Sequence, residues 1–515
     1  MTKQATIMYG IHTAMDTIFL NGKFYLGDRV WSPGLLVGSG GLITKVFSSA
    51  AETASYLSSD IQRVDMRGGW ILPGFEDAHT HPAGRARTLS ELDLREANLG
   101  WEEARSRIVE KARVTPENQW IVCHGWNQST WGKIRQEDLD HISSDHGIFL
   151  INISYHGGLL NKKGEALLKE QGVAGEIVDG FVTEELFERA IIATAPDTES
   201  YIQSIPLYLQ KLTTHGIIAA HDMNVATTQQ MEAYAELDEK GLLPIPVIAY
   251  LNPRLLEHPS QIMRFLKVRH GNFSIAGVKI FLDGAIGTST AAVNQPYADG
   301  TGRGILRTDF EACAGIVRQA VGLGLPQIAI HCIGDRAIDF AVTIFNRLRK
   351  EYARDISLWR FEHFEMPDEN AIKTLAEHGG IASMQPNFSW DVENYRTRLG
   401  EGVKKINPFR SIMDAHAPLA FGSDDMPSGP LAGIAWAVAK APFEHQRITL
   451  EEAIGAYTAA PATVAGMDRI RGKIAAGYEA NFAVLEKNPF AVAPSEIGNI
   501  SIQATWIKGK RFFTN

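Results

Sequence analysis

Cysteine is scarce in this chain, with three residues in 515, and this scarcity limits how the fold can be stabilised. Cys123, Cys313 and Cys332 lie far apart and show no paired spacing. This scatter fits a reducing cytoplasm and argues against a disulfide framework. We expect a cytoplasmic protein that folds around a hydrophobic core.

Long apolar runs and basic runs are also missing. No stretch approaches the roughly 20 unbroken apolar residues of a membrane helix. The first twenty residues lack the continuous apolar core of a signal peptide, which again favours the cytoplasm. The net charge of −9 argues against binding to nucleic acid, since phosphate contacts need a basic face. We expect neither nucleic acid nor a membrane as a partner.

The most informative feature that is present is the tripeptide His79-Thr80-His81, which closes an apolar stretch that begins at Trp70. Residues two apart in a β-strand point to the same side, so both imidazoles can reach one metal ion. The pattern is weak on its own, because His-x-His also arises by chance. Its value depends on the residues that come later in the chain.

Four later apolar stretches each end in a side chain that can bind a divalent metal ion, namely Lys279, His331, His363 and Asp424. Each stretch is short, rich in β-branched or aromatic residues and bounded by Gly or Pro, which indicates a buried strand. Each residue also has a simpler interpretation. An interior histidine is often a packing residue, Lys279 alone is more often a surface charge, and Asp424 could cap the next helix. Together they favour ligands on one shared rim.

The order of these strands predicts an α/β fold with a (β/α)8 (TIM) barrel. After the strand that ends at His81, seven further strands alternate with segments of helical apolar spacing. Both termini show short strands and tight turns, including a hairpin signal at Asn21-Gly22, and predict a small β-sandwich domain. We place the sandwich at residues 1–70 and 470–515, and the barrel at 71–469 with an insertion at about 85–212.

With these features the chain resembles the amidohydrolase superfamily, and within it the amidohydrolase-3 group, over nearly its whole length. The resemblance lies in six segments: Leu72–His81, Gly125–Asn127, Val278–Gly287, His331–Ala337, Arg360–His363 and Phe421–Asp424. It implies a hydrolase with a metal-bearing barrel and a sandwich made from both termini.

The resemblance also implies a binuclear metal centre. The family's ligand positions match His79, His81, Lys279, His331, His363 and Asp424. Two divalent ions are implied, with zinc favoured and manganese, iron or cobalt as alternatives. The family further implies a carboxylated lysine, here a carbamate formed from carbon dioxide on Lys279. Such a group is chemically reasonable, because burial favours the neutral amine that adds carbon dioxide.

The implied reaction is hydrolysis of a carbon–nitrogen bond other than a peptide bond, in an amide or a formamide, through a metal-activated hydroxide. Asp424 is the implied catalytic residue, which takes the proton of the attacking water and delivers it to the leaving nitrogen. We expect a small-molecule substrate and, as a candidate assembly, a homodimer.

Five further residues are candidates for contact with the substrate: Trp126, His156, Asn161, His221 and Trp390. His156 and Asn161 lie where the family carries Gly-His followed by Asn-Ser, although the order around the histidine differs here. His156 could equally tether the insertion. His221 fits support of a ligand better than direct ligation, and the tryptophans fit aromatic packing at least as well.

Two other functions stay open. A hydrolytic deaminase of a heterocycle belongs to the same superfamily, but such enzymes usually carry His-x-x-Glu and lack the lysine on the fourth strand. This chain reads His331-Cys-Ile-Gly-Asp335, without that glutamate, and has Lys279. A non-catalytic scaffold with the same barrel typically loses ligands, whereas all six are present here. Hydrolysis of an amide is therefore favoured.

Overall fold

The computed structural model describes residues 15–57, 60–95, 99–153, 155, 157–266, 271–425 and 429–514. The chain divides into two compact units. The first contains Met1–His81, Leu209–Asn224 and Leu243–Asn515, and the second contains Pro82–Tyr208 and Val225–Leu242. The predicted domain limits stay predictions.

A nearly closed, parallel eight-stranded sheet lies in the first unit and confirms the predicted (β/α)8 barrel. We number its strands one to eight in chain order: Phe75–Thr80, Ile217–Val225, Val247–Leu251, Phe273–Phe281, Gln327–Cys332, Leu358–His363, Ile381–Met384 and Leu419–Phe421. Each strand is paired with the next one along the chain. Most of their side chains are buried, as expected for strands covered on both faces.

Strands eight and one meet directly after strand eight ends. The backbone amide of Asp424 donates a hydrogen bond to the carbonyl oxygen of His79 at 2.7 Å. A Cβ atom on Gly422 would lie 2.3 Å from the backbone nitrogen of His79, so only glycine permits this close approach. The sequence thereby brings the His-x-His segment beside Asp424.

Helices follow the strands along the chain. Their bounds are Thr228–Glu239, Pro259–Leu266, Phe310–Gly322, Asp335–Glu351, Glu369–His378, Val392–Leu399, Phe409–Asp414, Pro430–Val438, Leu450–Ala456 and Ala459–Val464. The helix Asp335–Glu351 shows why they form, since Ile338, Val342 and Phe345 recur at helical spacing and are buried. Nowhere in the described part of the chain does a helix combine the length and apolar composition that crossing a membrane requires.

The two termini build two further sheets in the first unit. One has the strand order Ile43–Val46, Leu35–Val37, Thr17–Leu20, Gln62–Asp65. The other has the order Lys510–Thr514, Ile502–Ile507, Phe482–Leu485, Trp70–Pro73, Lys23–Gly27, Val30–Ser32. Phe19 meets Phe482 and Trp506 edge to face in their shared core, which joins both ends of the sequence.

The hairpin predicted at Asn21-Gly22 is wrong. The flanking strands Thr17–Leu20 and Lys23–Gly27 lie in different sheets. Asn21 has a φ of 54°, the left-handed conformation that this dipeptide favours. Phe19 and Phe24 are fully buried in the same core, so the turn carries the chain from one sheet to the other. The dipeptide determines the turn conformation, whereas packing in the core determines which strands pair.

The second unit contains a five-stranded sheet. Leu92–Asp93, Trp120–Trp126 and Gly147–Asn152 run parallel, and Gly157–Leu160 and Phe181–Thr183 complete the sheet antiparallel to their neighbours. Its sequence also forms the helices Pro82–Ala86, Trp101–Val114, Gln128–Trp131, Gln136–Asp140, Lys162–Glu170 and Glu184–Ala193, and most of Thr198–Thr213. Ile121 and Val122 enter different apolar clusters, because successive strand residues face opposite sides.

Candidate metal centre

Three of the six predicted ligands lie together at the carboxyl ends of barrel strands one, six and eight. One ligand atom from each of His79, His363 and Asp424 lies within 4.8 Å of the other two. The two histidines are buried and Asp424 is partly exposed. Parallel strands bring their final side chains to one edge of a barrel. This edge therefore presents two imidazoles and a carboxylate to one point.

His79 is oriented by Glu362. Nδ1 of His79 lies 2.6 Å from Oε2 of Glu362, and both side chains are fully buried. Because a carboxylate only accepts, Nδ1 carries the proton and Nε2 keeps its lone pair. That Nε2 has no hydrogen-bond partner among the described residues and lies 4.0 Å from Oδ1 of Asp424. A buried lone pair beside a carboxylate fits a divalent cation.

His363 is oriented in the same way by Gln385. Nδ1 of His363 lies 2.7 Å from Oε1 of Gln385, whose own amide nitrogen donates to the carbonyl oxygen of Ser383. The Gln385 oxygen must therefore accept from Nδ1, which leaves the lone pair on Nε2 of His363. The His363 ring lies 4.7 Å from the His79 ring between centroids. Both histidines therefore carry the proton on Nδ1 and keep the lone pair on Nε2.

A local twist allows adjacent residues of strand six to serve this site. In a regular strand, Glu362 and His363 would point to opposite faces. His363 has a φ of 69° and Phe364 a φ of 48°, so the backbone turns into the left-handed region as the strand ends. Such strain in non-glycine residues concentrates at functional sites. Here the left-handed backbone lets His363 lie beside His79, while the preceding residue, Glu362, orients His79.

The other three predicted ligands lie beside this group. Nε2 of His81 is 3.0 Å from Oδ1 of Asp424. The ring of His331 lies 4.5 Å from that of His363 between centroids. Lys279 is 1% exposed on strand four, and its charge acts on both His79 and His363. The barrel thus gathers all six side chains in one region.

The electrostatics favour the forms of these groups that bind metals. Burial, reinforced by the Lys279 charge, lowers the pKa of His79 well below its ordinary value. Burial and His331 lower the pKa of His363 in the same way. Both imidazoles are therefore neutral near pH 7, as a metal ligand must be. Burial also lowers the pKa of Lys279 to about 8, although Glu362 and Asp424 oppose the shift.

Arg360 and Glu362 form a support that the sequence motif contained but to which we assigned no role. Arg360 is fully buried, and its guanidinium donates to Glu362 at 2.6 and 3.1 Å. It also donates to Tyr250, Ser383 and the Ala78 carbonyl oxygen. Burial would raise the pKa of Glu362, but Arg360 and Lys279 hold it below its ordinary value. The available signal was two charges, two residues apart, within an apolar strand.

Two aspartates fix the backbone of the His-x-His segment. Asp77 accepts hydrogen bonds from the backbone nitrogens of His79 at 3.1 Å and Ser423 at 2.9 Å. Asp425 accepts from the backbone nitrogen of His81 at 3.0 Å. These contacts join the loop after strand eight to strand one. They restrict where both imidazoles and Asp424 can lie.

His221 supports the site indirectly. Its side chain is fully buried, and Nδ1 lies 3.0 Å from a guanidinium nitrogen of Arg360. Because a guanidinium only donates, Nδ1 accepts and the proton of the neutral ring is on Nε2. Burial lowers the pKa of His221 well below its ordinary value, so the ring is neutral. This tautomer offers no free lone pair to a metal ion, but Nε2 is a donor without a hydrogen-bond partner among the described residues, so His221 stays a substrate candidate.

The remaining substrate candidates have different surroundings. Trp390 is 51% exposed in the short helix Pro386–Asp391, so it stays a candidate. Trp126 is 3% exposed and packs in an apolar cluster of the second unit. His156 lies outside the described residues.

Asn161 is corrected from a substrate contact to a helix cap. It is fully buried at the start of the helix Lys162–Glu170, and its oxygen accepts from the backbone nitrogens of Ile148 and Gly164, each at 2.8 Å. Its amide nitrogen donates to two backbone carbonyl oxygens. Every polar atom of the side chain is thus used within its own unit.

Comparison with known proteins agrees with this geometry. Residues 62–513 match the model of the amidohydrolase family. The chain is 27% identical over 499 residues to YtcJ of Bacillus subtilis (strain 168), covering 88% of this chain and 91% of YtcJ. It is 26% identical over 513 residues to the N-substituted formamide deformylase of Arthrobacter pascens, covering 92% and 93% of the two chains.

Among solved structures, an uncharacterized metal-dependent hydrolase from Pyrococcus horikoshii OT3 has a TM-score of 0.79 at 26% identity, covering 93% of this chain and 99% of that chain. Sequence and fold agree over nearly the full length. The chain therefore belongs to the amidohydrolase family.

Proposed function

We propose that this chain is a metal-dependent hydrolase that cleaves the carbon–nitrogen bond of an amide or a formamide. The observation that carries the proposal is the convergence of His79, His363 and Asp424 within 4.8 Å, with both imidazoles in the tautomer that binds metals. The similarity to a formamide deformylase supports the choice of bond.

The donor set fits zinc, since neutral imidazole and carboxylate suit this ion, and manganese, iron or cobalt are alternatives. Two ions are proposed, held by His79, His81, Lys279, His331, His363 and Asp424. When bound, such ions supply Lewis acidity towards a carbonyl oxygen and lower the pKa of water to about 7.

Lys279 is proposed to carry a carbamate. Its ammonium form is disfavoured in a site that must also hold cations, because like charges repel. Burial lowers its pKa to about 8, so the neutral amine is more accessible than in a surface lysine. That amine adds carbon dioxide with loss of one proton, and the product is an anionic oxygen ligand.

Asp424 is proposed to move the proton. Its side chain is 21% exposed, so it faces both the buried histidines and the space open to substrate. A carboxylate there accepts the proton of the water that attacks the carbonyl carbon. It then donates this proton to the nitrogen as the carbon–nitrogen bond breaks, and the products are a carboxylic acid and an amine.

A substrate screen tests this function. Metal-loaded protein is assayed against formamides, acyl-amino acids, cyclic amides and lactones, with the Asp424→Asn variant as the blank. We expect amine release from a formamide or an amide in the wild type and its loss in the variant. Ammonia release from an aminated heterocycle without amide cleavage would contradict the proposal and indicate a deaminase.

A further inference from the structure

Phe388 lies against one of the proposed metal ligands. It belongs to the short helix Pro386–Asp391, which begins two residues after barrel strand seven ends. Its ring is stacked on the ring of His363, with 6.2 Å between the centroids and 13° between the planes. Active sites of such barrels form where the strands end. Phe388 is therefore placed at the rim that carries the ligands.

The backbone around Phe388 is held by the same groups that hold the site. Its amide donates to the carbonyl oxygen of Gln385 at 3.1 Å, and the side chain of Gln385 orients His363. The preceding residue, Asn387, is 1% exposed, and its amide nitrogen donates to the carbonyl oxygen of Ser423 at 2.8 Å. Ser423 directly precedes the proposed ligand that follows strand eight. The position of the Phe388 ring is thus fixed relative to two proposed ligands.

A second phenylalanine lies on the other side of the histidines. Phe281 ends strand four, and its ring lies 5.6 Å from that of His331 between centroids. Nζ of Lys279 lies 5.0 Å from the centroid of the same ring. His331 in turn lies 4.5 Å from His363 between ring centroids. The two proposed histidine ligands therefore lie between Phe281 and Phe388.

These two phenylalanines differ in exposure from those that pack in the barrel. Phe281 and Phe388 are only partly buried, whereas Phe361, Phe364 and Phe421 are fully buried. Aromatic surface that stays open to solvent contributes less to folding than surface that is buried. Pockets for small molecules combine such apolar walls with a few precisely placed polar groups. Here the polar groups are the metal ligands between the two rings.

We propose that Phe388 forms the wall that receives an apolar substituent of the substrate and thereby determines specificity. The inference rests on the proposed function, because the substituent is carried by the amide or formamide that is cleaved. The reacting carbonyl group must lie at the metal ligands, so a group attached next to it comes within reach of the ring stacked on His363. The substrate class is therefore amides and formamides with a bulky apolar substituent, and small or charged substituents are disfavoured.

A pair of formamides tests the inference. N-ethylformamide and N-(2-cyclohexylethyl)formamide differ by one bulky apolar group. Their binding is measured by calorimetry on zinc-loaded, full-length protein in the Asp424→Asn background, where the proposed mechanism blocks turnover. The measurement is repeated with Phe388→Ala, Phe388→Leu or Trp390→Ala added. Phe512→Ala, at a 39% exposed ring of a terminal sheet, is the matched control.

We expect the cyclohexyl probe to bind about 10- to 100-fold more tightly than the ethyl probe, as burial of a large apolar group implies. Phe388→Ala should reduce this ratio about tenfold, and Phe388→Leu, which keeps part of the apolar contact, about two- to fourfold. Trp390→Ala should change the ratio less than Phe388→Ala, and Phe512→Ala should preserve it.

Zinc affinity is measured for every variant, because Phe388 also packs on a proposed ligand. Phe388→Leu should retain zinc, and its ratio decides the test if Phe388→Ala loses the metal ion. Equal binding of the two probes, binding of neither, or a ratio that survives the Phe388 substitutions would overturn the inference. A ratio that depends on Trp390 instead of Phe388 would overturn it as well.

Wild-type hydrolysis of the same probes separates the inference from the proposed function. Cleavage of both formamides with equal kcat/KM overturns the role of Phe388 and leaves the hydrolase proposal standing. Selective binding of the cyclohexyl probe that depends on Phe388, without cleavage of either probe, supports the apolar wall and contradicts formamide hydrolysis.

Discussion

Nδ1 of His79 lies 2.6 Å from Oε2 of Glu362, and both side chains are fully buried in the barrel. This contact sets the tautomer of His79 and directs Nε2 towards Asp424. Glu362 is held in turn by Arg360. The buried guanidinium of Arg360 thus orients the carboxylate of Glu362, and this carboxylate orients the imidazole that is proposed to bind the metal ion.

Replacement of Glu362 by Gln should weaken metal binding about 10- to 100-fold, which is typical for loss of a carboxylate behind a histidine ligand. The glutamine amide can also present a donor to His79 and thereby favour the wrong tautomer. Zinc affinity, measured by competition with a chelator, checks this prediction. Glu369→Gln, an exposed change in the next helix, is the control, and equal affinities of both variants would disprove the role of Glu362.

Removal of the Arg360 charge should destabilise the fold. Arg360→Met leaves the fully buried Glu362 without its cation, and breaking a buried pair in this way costs about 3–5 kcal/mol. Urea denaturation of metal-free protein measures the loss. The double variant Arg360→Met with Glu362→Leu should recover part of it, because neither partner is then left charged. A single variant as stable as the wild type would contradict this account of the barrel interior.

The buried Lys279 makes the stability of metal-free protein depend on pH. Its pKa falls from 10.5 in the unfolded chain to about 8 in the fold. Between these values the unfolded state binds more protons, so stability contributed by this residue rises as pH increases from about 8 to 10.5. The gain is on the order of 3 kcal/mol. The Lys279→Met variant should not show this gain when thermal unfolding is measured from pH 7 to 10. If the stability of the wild type and of the variant changed with pH in the same way, the role assigned to Lys279 would be refuted.

Asp424→Asn should lower kcat by about 10²- to 10⁴-fold, the usual contribution of a positioned acid–base group. The asparagine oxygen can still bind a cation, so the comparison is made at saturating zinc with the bound metal measured. Asp414→Asn, on the surface of the same unit, should leave kcat unchanged. A kcat within about tenfold of the wild type would assign the proton transfer to another group.

The barrel could be predicted from the sequence because the same pattern, a buried strand with a potential metal ligand near its end, recurs along the chain. His79, Lys279, His331, His363 and Asp424 lie near the carboxyl end of a barrel strand or just after it, and the structure brings His79, His331, His363 and Asp424 close together. Local signals were less reliable where tertiary packing decides. Asn21-Gly22 adopts the turn that it favours, yet the core places its two flanking strands in different sheets.

The supports of the site were harder to predict than its ligands. Gln385 orients His363 from the next strand, and strand-to-strand contacts cannot be read from spacing along one chain. The left-handed backbone of His363 reverses the direction that strand alternation assigns to it.

Anomalous X-ray scattering at the zinc edge, from crystals of zinc-loaded protein, tests the central claim most directly. The account predicts a strong peak bonded to Nε2 of His79, Nε2 of His363 and the carboxylate of Asp424, with metal–ligand distances of about 2.0–2.2 Å. A second peak beside a carboxylated Lys279 would support the binuclear form. Well-ordered side chains with no peak between them would contradict the metal centre and the function built on it.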